Sequence, residues 1–154
     1  MQHTTPDKLV DHPEGGRFQE VFRAPEVVTT SRGETKSALT HIYFQLDAGE
    51  VSKFHRIVSC EVWSLYRGSG LRLYVWQNNA RPPEIVTLSA AGNTFCHVVP
   101  AGAWQAAEPL DGAVLVGCSV APGFEFSGFE LLDGKSDDAR ALQTMAPEME
   151  RFVG

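Results

Sequence analysis

Short runs rich in β-branched and aromatic residues, each cut off after a few positions by Gly, Pro, Asn or Asp, leave this chain little room for anything but an all-β fold. The runs occupy residues 18–22, 39–46, 52–57, 61–66, 71–77, 85–88, 95–99, 114–120 and 124–132. The breaks include Arg67-Gly68-Ser69-Gly70, Asn78-Asn79, Arg81-Pro82-Pro83, Pro100-Ala101-Gly102 and Pro122-Gly123. Short strands at such close spacing predict a sandwich or barrel. Alternation inside the runs gives the facing. Ile42, Phe44 and Leu46 lie opposite Tyr43 and Gln45, and Glu61, Trp63 and Leu65 share one face. Helix is predicted only near the end, over 139–145, with Ser136-Asp137-Asp138 as its cap and Pro147 starting a further turn or a kink. At 154 residues the chain makes one domain. The reading divides it into a mobile tail at 1–8, a barrel at 9–133 and a helical segment at 134–154 packed on the barrel.

Charge narrows the partners. With 13 Lys and Arg against 19 Asp and Glu the formal charge is −6, and no basic run stands out. A phosphate backbone would find no footing, so nucleic acid is excluded. No apolar stretch reaches the ~20 residues of a membrane helix, so no membrane partner is expected. No signal peptide is visible at the start, and the three cysteines (Cys60, Cys96 and Cys118) form no CxxC pair. They read as reduced core thiols of a cytoplasmic protein.

The stretch that carries chemistry runs from Gly49 to Gly68. It reads Gly49, five residues, His55, one residue, Ile57, three residues, Glu61, six residues, Gly68. His55 and Ile57 point the same way from one strand, and Glu61 opens the next strand toward the same interior. A second stretch reads Pro100-Ala101-Gly102, then Gln105 after two residues. A buried imidazole and carboxylate are costly unless they pair or serve a ligand. Lys53, two residues before His55, is predicted to face the same way. Trp63 shares the face of Glu61, and Trp104 with Gln105 follows the Pro-x-Gly turn toward the mouth.

These two stretches resemble the two motifs of the cupins, with Ile57 where the first motif has its second His and Gln105 where the second motif has its His. Further segments extend the likeness: His12-Pro13-Glu14-Gly15-Gly16, Val99-Pro100-Ala101-Gly102-Ala103-Trp104-Gln105 and Val116-Gly117-Cys118-Ser119-Val120-Ala121-Pro122-Gly123-Phe124. The chain is similar, over residues 9 to about 133, to a cupin group of unknown function within the RmlC-like superfamily. The resemblance implies an antiparallel jelly-roll barrel with an internal pocket and a homodimer, for which the segment before Leu39 is the expected bridge.

Fold alone does not name a reaction. The leading expectation is a metal-independent isomerase or epimerase acting on a small polar carbonyl compound. His55 would remove the proton and Glu61 would orient its imidazole, with Lys53, Trp63, Tyr74, Trp104 and Gln105 binding substrate. No cofactor is required by that scheme. The alternatives are a non-catalytic small-molecule binder and a divergent metal-dependent cupin holding a divalent ion with His55, Glu61 and Gln105.

Overall fold

The computed structural model describes residues 4–154. Its strands are β1 (Val10–Asp11), β2 (Arg17–Arg23), β3 (Val27–Thr29), β4 (Thr35–Ser37), β5 (Thr40–Leu46), β6 (Ser52–Ile57), β7 (Cys60–Arg67), β8 (Leu71–Trp76), β9 (Glu84–Leu88), β10 (Cys96–Val99), β11 (Trp104–Pro109), β12 (Val114–Ala121) and β13 (Phe129–Leu131). They form a six-stranded sheet in the order β1-β2-β5-β12-β7-β10 and a five-stranded sheet in the order β13-β6-β11-β8-β9, with β3 and β4 as a separate hairpin. Every pairing is antiparallel. Strands adjacent in space come from distant parts of the chain, as in β5 beside β12, and the two sheets stack face to face as a jelly roll.

The inward positions follow the two-residue period read from the sequence. Phe44, Leu46, Trp63, Leu71, Leu73, Val75, Val114 and Val116 pack one half of the interior solid. The other half stays partly open and holds the polar residues described below. On the outer side of the five-stranded sheet a second cluster joins Phe54, Tyr74, Trp76, Trp104 and Ala106 to Leu142, Met149 and Phe152. Those last three come from α1 (Asp137–Met145) and the 3-10 turns of Pro147–Phe152. The five-stranded sheet is thus covered on both faces.

The helix begins as the sequence predicts, with the Ser136 hydroxyl accepting from the backbone N–H of Ala139 at 3.1 Å. Asp137 and Asp138 lie in the first turn, against the positive end of the helix dipole. Ser136→Ala is expected to cost about 1 kcal/mol of unfolding free energy, measured by urea denaturation. No described helix is long and apolar enough to cross a membrane.

Four expectations need correction. Residues 124–132 are not one strand: Phe126–Gly128 form a 3-10 turn before the short β13, because the Phe side chains turn together toward the pocket mouth. β11 carries no β-branched residue, yet it is a central strand whose Ala106 and Ala107 are fully buried. Of the expected tail, residues 1–3 lie outside the described residues, while Thr4–Lys8 are held to the sheet. Gln19 donates to the Thr5 carbonyl at 3.0 Å and accepts from the Lys8 N–H at 2.8 Å. The thiols also differ from expectation. Cys118 is buried, whereas Cys60 and Cys96 sit on strand ends or edges and are exposed.

Candidate functional site

The register places the motif residues. His55 on β6 lies opposite Gln105 on β11, and Ser52 lies opposite Ala107. Four residues on β6, 52–55, therefore span three on β11, 105–107, which is a β-bulge. The extra residue turns both Ser52 and His55 inward, three positions apart. It also reverses Lys53, whose side chain lies against Gly154 rather than in the pocket. The expectation for Lys53 fails on that bulge.

Two more expected contacts fail on alternation. Trp104 and Gln105 are neighbours on a strand and point to opposite sides. Gln105 goes in, while Trp104 packs outside under the Arg56 guanidinium, 4.4 Å from its ring. Tyr74 likewise faces out from β8, against Phe152 at 4.8 Å, and its hydroxyl donates to Glu108 at 3.1 Å.

Inside, Glu61, Gln105 and Trp63 form a buried chain. The Trp63 indole N–H donates to Gln105 Oε1 at 2.7 Å, and Gln105 Nε2 donates to Glu61 Oε1 at 2.8 Å. An indole can only donate, so it fixes which end of the amide faces Glu61. Burial pushes the Glu61 carboxyl up to about 7, against the opposing pull of His55. Trp63 and Gln105 sit behind Glu61 as a floor, and Glu61 itself reaches the cavity.

The imidazole of His55 is oriented by backbone, not by Glu61 as expected. Its Nδ1 meets the Lys53 carbonyl at 2.7 Å, and a carbonyl only accepts, so Nδ1 carries the proton. Nε2 is left as a bare lone pair. Burial lowers the His55 pKa below its ordinary value, against the opposing effect of Glu61, which keeps the ring neutral. Phe129 stacks on the ring at 5.5 Å.

Glu14 is the residue that the sequence reading left out of the site. Gly15 and Gly16 both take positive φ, and a Cβ on Gly15 would fall 2.2 Å from the Val51 carbonyl oxygen. Only glycine permits that approach, and it folds the segment back so that Glu14 enters the pocket. The Glu14 carbonyl accepts from the Lys53 N–H at 2.8 Å, inside the bulge. Its carboxyl accepts from the Ser52 hydroxyl, and Oε2 lies 3.5 Å from His55 Nε2.

His12 completes the group. Its Nδ1 accepts from the Glu14 N–H at 3.2 Å and lies 3.2 Å from Glu14 Oε1. An ionised carboxylate there would face a lone pair, so the contact favours the acid form. Burial, first, pushes the Glu14 carboxyl up to about 8, and burial with the nearby His55 pushes His12 down to about 3. At neutral pH the pocket thus holds two neutral imidazoles and a neutral carboxylic acid. A signal for Glu14 was present in the sequence, as an acid followed by two glycines.

The cavity has a volume of about 100 Å³. One water needs roughly 10–15 Å³ on this scale, so the space suits several waters or one compact molecule. Phe18, Ile42, Ile57 and Phe129 wall it, and Phe124 and Phe126 stand at the mouth. Arg23 at the rim is held by Glu20 at 2.7 Å and Glu125 at 3.2 Å, so it offers no free positive charge.

The donor set of the motif does not fit a metal ion. Ile57 offers no ligand atom, and both ends of the Gln105 amide are committed to Trp63 and Glu61. Among the described residues no group of three or more His, Cys, Asp or Glu is arranged so that it could hold a metal ion.

Comparison with known proteins places the fold. An uncharacterized protein of Saccharomyces cerevisiae, YML079W, is 29% identical over 147 residues, covering 84% of this chain and 73% of its own. A hypothetical protein from Leishmania major superposes with a TM-score of 0.75 at 27% identity, covering 94% of this chain and 93% of that one. Protein SO0799 from Shewanella oneidensis gives a TM-score of 0.73 at 33% identity, covering 94% and 88%. The sequence of residues 6–132 matches the family described as Cupin superfamily (DUF985), and the chain belongs to that family.

Proposed function

We propose that the pocket moves a proton on a compact, uncharged carbonyl compound, as an isomerase or epimerase. The observation that carries this reading is the bare Nε2 of a neutral His55 facing a neutral Glu14 carboxyl across 3.5 Å in an aromatic-walled cavity. In this scheme Nε2 takes the proton from the carbon next to the carbonyl. The Glu14 carboxyl gives a proton to the carbonyl oxygen, which becomes an enol. The imidazolium then returns its proton, to the opposite face once the enol has turned over in the cavity or to the neighbouring carbon. The Glu14 carboxylate takes a proton back from an enol oxygen, which completes epimerisation or isomerisation. Glu61, when ionised, stabilises the imidazolium that forms, and the Lys53 carbonyl holds the ring in place. The pairing of base and acid thus shifts from His55 with Glu61 to His55 with Glu14.

The substrate class follows from the walls. Arg23 is already paired and the Glu14 carboxyl is neutral, so no free positive charge is on offer to an anionic ligand. Flat aromatic surfaces favour a planar or ring compound.

The test starts from protein purified gently from its own cells, with any bound molecule identified by native mass spectrometry. That molecule is then incubated with the protein in deuterated water and followed by proton NMR. Exchange of the hydrogen next to a carbonyl is the expected result. A tightly bound molecule that never exchanges would instead favour the non-catalytic binder. The exchange rate should fall as pH rises through about 8, where Glu14 loses its proton. On the acid side it should hold to below pH 6.5, because His55 titrates lower than its ordinary value.

A further inference from the structure

Of the apolar side chains that line the cavity, Phe126 is the most exposed, at 52%. It is also the ring that joins the two sheets across the opening. Phe18 on β2 belongs to the six-stranded sheet, and Phe129 on β13 belongs to the five-stranded one. The Phe126 ring meets both, at centroid distances of 6.4 Å and 6.0 Å, and it meets Phe124 at 4.9 Å. All three pairs are edge-to-face, an arrangement that aromatic rings favour. His12 lies 5.8 Å from the same ring.

The backbone that carries this ring is tied down at both ends. The Gly123 N–H donates to the Ser37 carbonyl at 2.7 Å, and the Phe124 N–H donates to the Thr40 hydroxyl at 2.9 Å. Arg23 donates to the Phe124 carbonyl at 3.0 Å and to the Glu125 carboxylate at 3.2 Å. The 3-10 turn then closes on itself. The Gly128 N–H donates to the Glu125 carbonyl at 3.0 Å, and the Phe129 N–H donates to the Phe126 carbonyl. Gly128 is packed so closely that a Cβ there would lie 2.9 Å from the Val58 side chain. A segment with this many ties is a fixed edge and not a hinged flap. Each tie is made by backbone or by a neighbouring side chain, so the ring can be shortened without undoing the turn.

We propose that Phe126 is the size gate of the cavity, a role that rests on the reading of this cavity as a substrate site. Fixed across the opening, the ring stops any long substituent that extends outward from the reacting end. The other apolar walls are less free to set that limit. Phe129 stacks on the His55 ring at 5.5 Å, and Ile57 and Val120 are buried. Phe126 touches other rings and faces the opening. At the rim Arg23 is paired with Glu20 and Glu125, so an apolar tail pushed past the ring would meet charged side chains. The whole substrate is therefore held in the interior of about 100 Å³. That narrows its class from a planar or ring compound to a short one without a long substituent.

The test pairs two ketones with the same reacting end, 2-butanone and 4-phenyl-2-butanone. Each is titrated into the full chain as wild type, Phe126→Ala and Phe126→Leu. Binding is read from the NMR signal of the Trp63 indole N–H in the cavity floor, and circular dichroism checks folding. Wild type should bind 2-butanone, and bind 4-phenyl-2-butanone at least ~10-fold more weakly. Phe126→Ala should strengthen the longer ketone by at least ~10-fold, because its phenyl ring takes the place of the missing one. The same variant should leave 2-butanone within ~3-fold of wild type. Phe126→Leu keeps an apolar contact at the turn and should gain at least ~3-fold for the longer ketone. It carries the test if the Ala variant does not fold. Hydrogen exchange next to the carbonyl, followed in deuterated water with the same proteins, reads the proton transfer separately. Binding that tracks the tail without exchange would support the gate and remove the chemistry. Equal affinity of wild type for both ketones, or no gain for the longer one in either variant, would each overturn the gate.

Discussion

His55→Gln is expected to lower the rate of hydrogen exchange on the bound carbonyl compound by about 10³-fold while leaving the protein folded. A Gln amide can still donate to the Lys53 carbonyl, which holds the native ring at 2.7 Å, so the backbone geometry of the bulge keeps its partner. What it lacks is a basic lone pair at the position of Nε2. Binding should change far less than turnover, because the Phe129 face and the apolar walls remain. Exchange at the wild-type rate in a folded His55→Gln protein would remove the base from the scheme. The outcome bears on the proton transfer alone.

The second large effect is on stability, and its sign is set by where Glu14 titrates. The carboxyl has an ordinary value near 4.5 in the unfolded chain and is pushed up to about 8 by burial in the fold. Below pH 4.5 both states hold the proton, and Glu14 brings no pH-dependent penalty. Between 4.5 and about 8 the unfolded chain ionises while the folded one does not, so stability drains away as pH rises. Above that window the loss levels off. Glu14→Gln removes the titration and still accepts from Ser52, so it should gain on wild type by roughly 3–5 kcal/mol between pH 4.5 and 8. Urea unfolding at several pH values reads this directly; parallel curves for the two proteins would refute it. Glu61, raised to about 7, has the same sign over a shorter window. His12 has the opposite sign. Its depressed value near 3 means that its share of stability is lost as pH falls from 6.5 toward 3.

Much of this fold was legible because most strands carry their own signal. The run at 52–57 and those ending in Gly-rich turns emerged at or within a residue or two of their observed bounds, since β-branched density and turn chemistry agree there. β11 escaped because Trp104-Gln105-Ala106-Ala107-Glu108-Pro109 has no such density. Its strand state is imposed by β6 and β8 on either side, which is tertiary context that no local reading contains. That one omission misplaced Trp104. Had the segment been read as a strand, Trp104 and Gln105 could not both have been sent inward. Tyr74 shows the same lesson, since Leu73 and Val75 on either side of it are core.

The convergence of His55 and Glu61 could be anticipated from their spacing on consecutive strands, whereas Gln105, distant in sequence, is placed with them by the resemblance to the second cupin motif. The place of Glu14 could not be settled that way. It depends on a pair of glycines folding a distant segment against Val51, and on a bulge whose extra residue leaves no mark in composition. The bulge is also what turned Lys53 away.

The pocket draws its walls from both ends of the chain, and that fixes when it can exist. Glu14 leaves the ribosome early, while Phe129, which stacks on His55, leaves 115 residues later. At the usual pace of synthesis the interval is roughly 6–23 s. β5 cannot find β12, nor β6 find β13, before then. Throughout the wait Glu14 is in water and ionised. The nascent chain must therefore bind a proton as the cavity closes at neutral pH, so the last stage of its folding is also an acid-base reaction with the water around it.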